Sequence, residues 1–180
     1  KVTMIAKNNF RYYEDFNWSP CGRYLAFMEP ESRTSAHLNL YDYTKKESRQ
    51  LLRSVLMDLC PTFDPSGDYL FFIGVRDFHP IYNETHFDLG FPFAMGLYAL
   101  VLEKDCPSPL ELYKDFEDDE DEEEENEKKK EDQKKESKST KTKEAEEETK
   151  IDWDGLEDRV IALPLRLGGY LKIACAEDKL

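Results

Sequence analysis

The feature that most limits how this chain can fold is a repeat. Trp18-Ser19-Pro20-Cys21-Gly22-Arg23-Tyr24-Leu25-Ala26-Phe27 aligns with Phe63-Asp64-Pro65-Ser66-Gly67-Asp68-Tyr69-Leu70-Phe71-Phe72, at an offset of 45 residues. In each copy an aromatic closes one strand and Ser/Asp-Pro-x-Gly makes a tight turn. Proline fixes φ there, and glycine supplies the conformation that side chains avoid. Tyr-Leu-Ala-Phe or Tyr-Leu-Phe-Phe then runs back with high strand propensity. A period of roughly 40–50 residues is that of one four-stranded blade of a β-propeller.

The first blade can be followed to its edge. His37-Leu38-Asn39-Leu40-Tyr41-Asp42 alternates apolar and polar residues as a further strand. Thr44-Lys45-Lys46-Glu47 is a polar turn, and Ser48-Arg49-Gln50-Leu51-Leu52 starts the outer strand. In the second copy the blade is interrupted between Val75 and the next strand, Gly96–Leu102, by a long aromatic-rich excursion. A loop of that length inside a compact domain is usually functional or packed on a neighbour.

Composition divides the chain in two. Between Asp115 and Lys150 stand 18 Asp+Glu and 9 Lys, a net of -9 out of -14, which leaves -5 on all the rest. The sequence therefore predicts propeller blades of an incomplete ring over 1–113 and a charged, disordered insert over 114–150. A further blade is expected to open within 151–180, with Arg159-Val160-Ile161-Ala162-Leu163-Pro164 as its strand. The fold class is all-β, a partial β-propeller of four-stranded antiparallel blades with a disordered acidic insert. Two blade motifs cannot close a ring, which needs at least four, so the chain reads as a fragment, and its open blade edges predict instability alone. The insert reads as a solvated linker, or as an acidic tether that repels acidic peptides or recruits basic partners.

Several function classes are disfavoured. The mildly acidic folded part gives no electrostatic reason to expect nucleic acid or an anionic membrane as partner. Cys21, Cys60, Cys106 and Cys175 are too widely spaced for a zinc or redox pair; free, mostly buried thiols in a reducing compartment are expected. No apolar run is long enough to span a membrane, and Lys1-Val2-Thr3-Met4 does not open a secretory signal. Cytoplasmic is the default reading, with no cofactor and no metal.

Candidate chemistry is sparse. His37, His79 and His86 are accompanied by no Gly-x-Ser-x-Gly elbow, and Ser19 is expected to make a turn hydrogen bond. No catalytic residue is assigned. His86 and Asp88 could share a strand face, but a third metal ligand is lacking. Asp64, Asp77 and Asp88 invite a carboxylate-cluster reading, yet an Asp beside a turn usually accepts backbone N–H bonds. Arg76 and Asp77 are expected to form a local pair that pins the excursion. The excursion itself is the candidate contact loop, with Arg76, Asp77, Phe78, His79, Tyr82, Phe87 and Asp88 as its contact residues, since aromatics and Arg concentrate at interface cores. Covering its own neighbouring blade is the equal alternative.

Three stretches resemble the propeller of tricorn-type serine peptidases. They are Thr62–Phe72, then Arg76-Asp77-Phe78-His79-Pro80-Ile81-Tyr82, then Phe87-Asp88-Leu89. The family pattern there reads approximately TFDPxGKYLYF, RDFNPVY and an aromatic loop. Asp154-Gly155-Leu156-Glu157-Asp158-Arg159-Val160-Ile161-Ala162-Leu163-Pro164 is similar to the family's D-G-I-x-x-R-x-x-x-x-P strand. His79 departs from the family's usual Asn, and the Glu/Lys insert is foreign to its compact bacterial and archaeal versions. The resemblance implies a large, self-compartmentalising cytosolic serine peptidase that degrades oligopeptides, with this segment in the later part of its second, larger propeller. It implies a non-catalytic role in substrate gating and assembly. The implied partners are peptide substrates reached through the parent enzyme, the remaining blades and catalytic domains of the same chain, and further copies in a homo-oligomer. Two alternatives stand beside it: a propeller scaffold for protein–protein interaction without peptidase activity, and the propeller of a prolyl-oligopeptidase-like enzyme.

Overall fold

The computed structural model describes residues 2–53, 56–77, 80–85, 88–90, 94–111 and 148–176. Four strands, β1 (Phe16–Trp18), β2 (Tyr24–Pro30), β3 (Ala36–Asp42) and β4 (Glu47–Gln50), form an antiparallel meander. A second meander begins with β5 (Met57–Phe63) and β6 (Tyr69–Val75), is interrupted by a separate hairpin of β7 (Ile81–Asn83) and β8 (Asp88–Gly90), and resumes with β9 (Gly96–Val101) and β10 (Val160–Ala162). The two blades join where β3 and β5 pair in parallel at Ala36 and Met57.

One expectation changes here. The strand Val160–Ala162, read from sequence as opening a further blade, pairs antiparallel with β9 and is the outer strand of the second blade. The acidic insert therefore lies within that blade, between its third and fourth strands. Beyond β10 the chain turns inward instead. Thr62 Oγ1 in β5 donates to the Ile173 carbonyl at 3.3 Å, and Ile173 packs with Cys60 and Ile73.

The repeat is realised atom for atom. In the first copy Ser19 N–H donates to Tyr24 O at 2.8 Å, Gly22 N–H to Ser19 O at 2.9 Å, and Tyr24 N–H to Ser19 Oγ at 3.0 Å. In the second, the corresponding bonds are Asp64 N–H to Tyr69 O at 3.2 Å, Gly67 N–H to Asp64 O at 3.1 Å, and Tyr69 N–H to Asp64 Oδ1 at 2.8 Å. Ser19 and Asp64 thus do the same work, as expected for polar side chains beside a turn. Gly22 and Gly67 hold φ of 70° and 80°. Their surroundings differ: a Cβ on Gly22 would meet nothing, whereas one on Gly67 would lie 2.6 Å from Thr149 Oγ1. Gly22→Ala should cost about 1 kcal/mol for the left-handed backbone alone. Gly67→Ala should cost more, about 2–3 kcal/mol, because Thr149 must also move. Urea unfolding of the two variants reads the difference; equal losses would mean that Thr149 yields freely.

Both faces of each blade are apolar, as packing between neighbours on either side requires. Tyr24, Ala26, Met28, Leu38 and Leu40 of the first blade meet Phe63, Leu70, Phe72, Tyr98 and Leu100 of the second in one core. The intervening residues Phe71 and Ile73 point the other way, toward Cys60, Leu97 and Ile173. On the first blade's far face, Tyr13 meets Phe27 edge-on at 6.0 Å and donates to Glu29 Oε1 at 3.0 Å. Equivalent residues show where a blade is missing a neighbour. Phe63 is 5% exposed beneath the first blade, while its counterpart Trp18 is 46% exposed. The sheet is open, as in a partial propeller.

Candidate contact surface

In an antiparallel meander, the first and third connections lie at one end and the second at the other. The Ser19–Arg23 and Asp64–Asp68 turns therefore share an end with the connection from β9 to β10, which carries the acidic insert. Side-chain bonds agree: Tyr69 Oη donates to Pro107 O at 2.9 Å, and Arg23 pairs with Glu148. The excursion from Arg76 to Met95 connects β6 to β9 and so emerges at the opposite end. The base of the excursion and the described ends of the connection from β9 to β10 therefore lie at opposite ends of the blade.

The base of the excursion is fastened from beneath. Asp58 in β5 is fully buried, and Arg76 meets it in a two-pronged pair, Nε to Oδ1 at 2.9 Å and Nη2 to Oδ2 at 2.6 Å. The guanidinium lies over the rings of Phe72 and Tyr98, with its carbon 5.0 and 5.8 Å from their centroids. Tyr98 in turn donates its hydroxyl to Asp77 Oδ2 at 2.9 Å. Burial first, and that bond to Asp77 second, push the Tyr98 hydroxyl far above its ordinary range, so it stays protonated and holds the bond. Gly74 and Gly96, paired across β6 and β9, leave the space the cluster needs. A Cβ on Gly74 would stand 3.0 Å from Asp58 Oδ1 and 3.1 Å from the Tyr98 ring.

This arrangement differs from the local Arg76–Asp77 pair expected from sequence. Arg76 reaches across the sheet to Asp58, and Asp77 serves Tyr98. The buried carboxylate of Asp58 takes both prongs of the guanidinium, and the Tyr98 hydroxyl takes Asp77. Nor do the Asp residues gather, since Asp64 and Asp77 stand at opposite ends of β6. Asp88 enters β8 as the register partner of Asn83, and Tyr82, in β7, is exposed. Phe78, His79, His86 and Phe87 lie outside the described residues, as does most of the insert. Its last three residues are described, and Thr149 among them is buried.

Sequence reasoning missed a second feature. At the outer edge, a hollow of about 290 Å³ lies between β4 and the 3₁₀ turn Leu156–Arg159, lined by Arg49, Gln50, Leu51, Trp153, Gly155, Leu156, Glu157 and Asp158. Arg49 lies over the Trp153 ring at 4.1 Å, and Arg53 N–H donates to Glu157 Oε1 at 3.2 Å. Beneath it, Arg159 donates to the carbonyls of Val101, Leu102, Asp152 and Asp154. The hollow's lining is mostly polar, and Arg159 acts as a clamp that returns the chain from the insert to the sheet. Among the described residues no group of three or more His, Cys, Asp or Glu is arranged to hold a metal ion. None of their helices is long and apolar enough to cross a membrane.

All 180 residues match the family described as the tricorn protease second beta propeller domain. The chain is 29% identical over 161 residues to tricorn protease homolog 1 of Streptomyces coelicolor, and 25% identical over 175 residues to the tricorn protease homolog of Saccharolobus solfataricus. These alignments take in 89% and 97% of the chain but 14% of each relative, so the chain spans about a seventh of their length. Among solved structures, the crystal structure of the tricorn protease superposes with a TM-score of 0.67 at 16% identity, over 98% of this chain and 15% of that one. The chain belongs to the family of the tricorn protease second β-propeller domain.

Proposed function

We propose that this chain is a non-catalytic part of a tricorn-like serine peptidase that degrades oligopeptides, and that its propeller governs which substrates pass and how the enzyme assembles. One observation carries the reading: a family match over every residue, joined to an open two-blade sheet whose exposed aromatic edge calls for neighbouring blades. The excursion supports the gating half. Its base is fastened by the Arg76–Asp58 pair and by the Tyr98 bond to Asp77, and such a base lets a loop present a fixed surface. The parent would be a cytoplasmic homo-oligomer acting on peptides; the unpaired state of all four cysteines supports a reducing compartment.

Gating is tested by peptide length. In the full-length protein, Tyr82→Ala should change the ratio of long-peptide to short-peptide kcat/KM while leaving short-peptide turnover as it was. Equal effects on both lengths, or none, would remove the loop from any sieving role.

A further inference from the structure

The repeat runs further back along the chain than its turn motif. Asp15 and Cys60, 45 residues apart, both hold positive φ, at 55° and 52°. Side chains other than glycine rarely adopt that conformation, so its recurrence at the repeat offset marks equivalent backbone. Residues 12–18 are therefore the counterpart of β5. Carried further back, the same offset sets Val2, Thr3, Met4 and Ile5 against Glu47, Ser48, Arg49 and Gln50, which make up β4. In the first blade β4 is the outer strand, and the chain passes from it into β5 of the second. Residues 2–5 thus stand where an outer strand should stand, and Val, Thr and Ile favour strands. Among the described residues they pair with no other strand, and Val2 and Met4 are exposed.

The blade face beside them is equally bare. Tyr43 and Leu102 are equivalent, since their N–H groups donate to Arg23 O at 2.9 Å and to Asp68 O at 3.0 Å. Leu102 is fully buried between the blades, but Tyr43 is 63% exposed and lies edge-on to Trp18 at 6.4 Å. Where the first blade covers the second, Asn17 Oδ1 also accepts the Phe63 N–H at 3.0 Å. The same kind of interface is thus complete on one side of the first blade and open on the other.

We propose that residues 2–5 are the outer strand of an additional blade, and that its apolar sheet covers Trp18 and Tyr43 as the first blade covers Phe63 and Leu102. The occupant belongs to the same polypeptide, because residues 2–5 run on into β1 as β4 runs on into β5. The proposal rests on the segment being part of a larger propeller, and it names the strand and the face through which that propeller continues.

The register says which amides the additional blade must hold. Leu51 N–H donates to Leu38 O at 2.8 Å, and Arg49 is the register partner of Leu40. Hydrogen-bonded pairs alternate along an antiparallel ladder, so Arg49 and Leu51 donate into the sheet while Ser48 and Gln50 donate outward. By the repeat offset, Met4 and Ala6 donate into the additional blade, and Thr3 and Ile5 donate outward.

Hydrogen exchange of the full-length protein, resolved to single residues, tests this. Met4 and Ala6 amides should exchange more slowly than those of Thr3 and Ile5 by about a hundredfold or more. Met4→Pro removes an inward donor and should lower the midpoint of urea unfolding, whereas Thr3→Pro removes an outward one and should leave it nearly unchanged. Trp18→Ala should lower the midpoint as well. Free exchange at Met4 and Ala6, equal effects of the two prolines, or an unchanged midpoint in Trp18→Ala overturns the proposal. Protection that disappears on dilution would give the face to a second copy and overturns it too. Peptide hydrolysis by the same preparation is read independently. An active enzyme with freely exchanging Met4 and Ala6 refutes the strand assignment and leaves the peptidase reading intact.

Discussion

Arg76→Ala should be among the most damaging single changes in this region, lowering the stability of the propeller by about 3–5 kcal/mol. The reason is what it leaves behind. Asp58 is fully buried, and the Arg76 guanidinium is bonded to both of its carboxylate oxygens. Deleting the arginine removes the two-pronged pair from a fully buried carboxylate, and loss of one member of a buried pair is far costlier than losing the attraction alone. The double variant Asp58→Ala/Arg76→Ala removes both charges and should be milder than Arg76→Ala by itself. Arg76→Lys restores a charge without the two-pronged geometry or the fit over Phe72 and Tyr98, so it should fall between. Urea unfolding of the full-length protein, followed by a probe within this propeller, ranks the three. Arg76→Ala within about 0.5 kcal/mol of the unaltered protein would mean that Asp58 is not held by this pair.

Phe72→Ala should be comparably severe, at about 3–5 kcal/mol. Phe72 is fully buried at the centre of the core between the blades, stacked on Tyr98 with centroids 5.5 Å apart and rings 21° from parallel. It also supports the Arg76 guanidinium, so its loss disturbs the fastening of the excursion as well as the packing. Phe71, the adjacent residue, faces the second blade's other side beside Cys60 and Ile73. In a closed ring that side is also covered, so Phe71→Ala should be costly in the full-length protein too. Thermal unfolding of the two variants reads this directly. A negligible loss for Phe71→Ala would show that no further blade packs there.

How much of this was legible in the sequence depends on the range of the contact responsible. The turns were legible because Pro, Gly and a capping Ser or Asp set them within five residues, and all the expected bonds form. The four-stranded first blade was legible for the same reason. The role of Val160–Ala162 was not, because the strand meets its partner β9 across the whole insert. A strand's own residues carry no mark of which neighbour it will join. The Asp58–Arg76 pair was missed likewise: its partners are 18 residues apart, and the adjacent Asp77 offered an easier match. One signal was available, a lone Asp in the otherwise largely apolar strand Met57–Phe63, since a buried carboxylate requires a partner.

The central claim is that these blades serve a serine peptidase whose chemistry lies elsewhere in the parent chain. Its most direct test is hydrolysis of short fluorogenic peptides by the full-length protein, with and without a serine-directed inhibitor, beside residues 1–180 alone. The account predicts hydrolysis by the full-length protein, its loss on inhibition, and none from the segment. A full-length protein that is folded and inert yet captures protein partners would contradict it, leaving an interaction scaffold that shares only the family's fold.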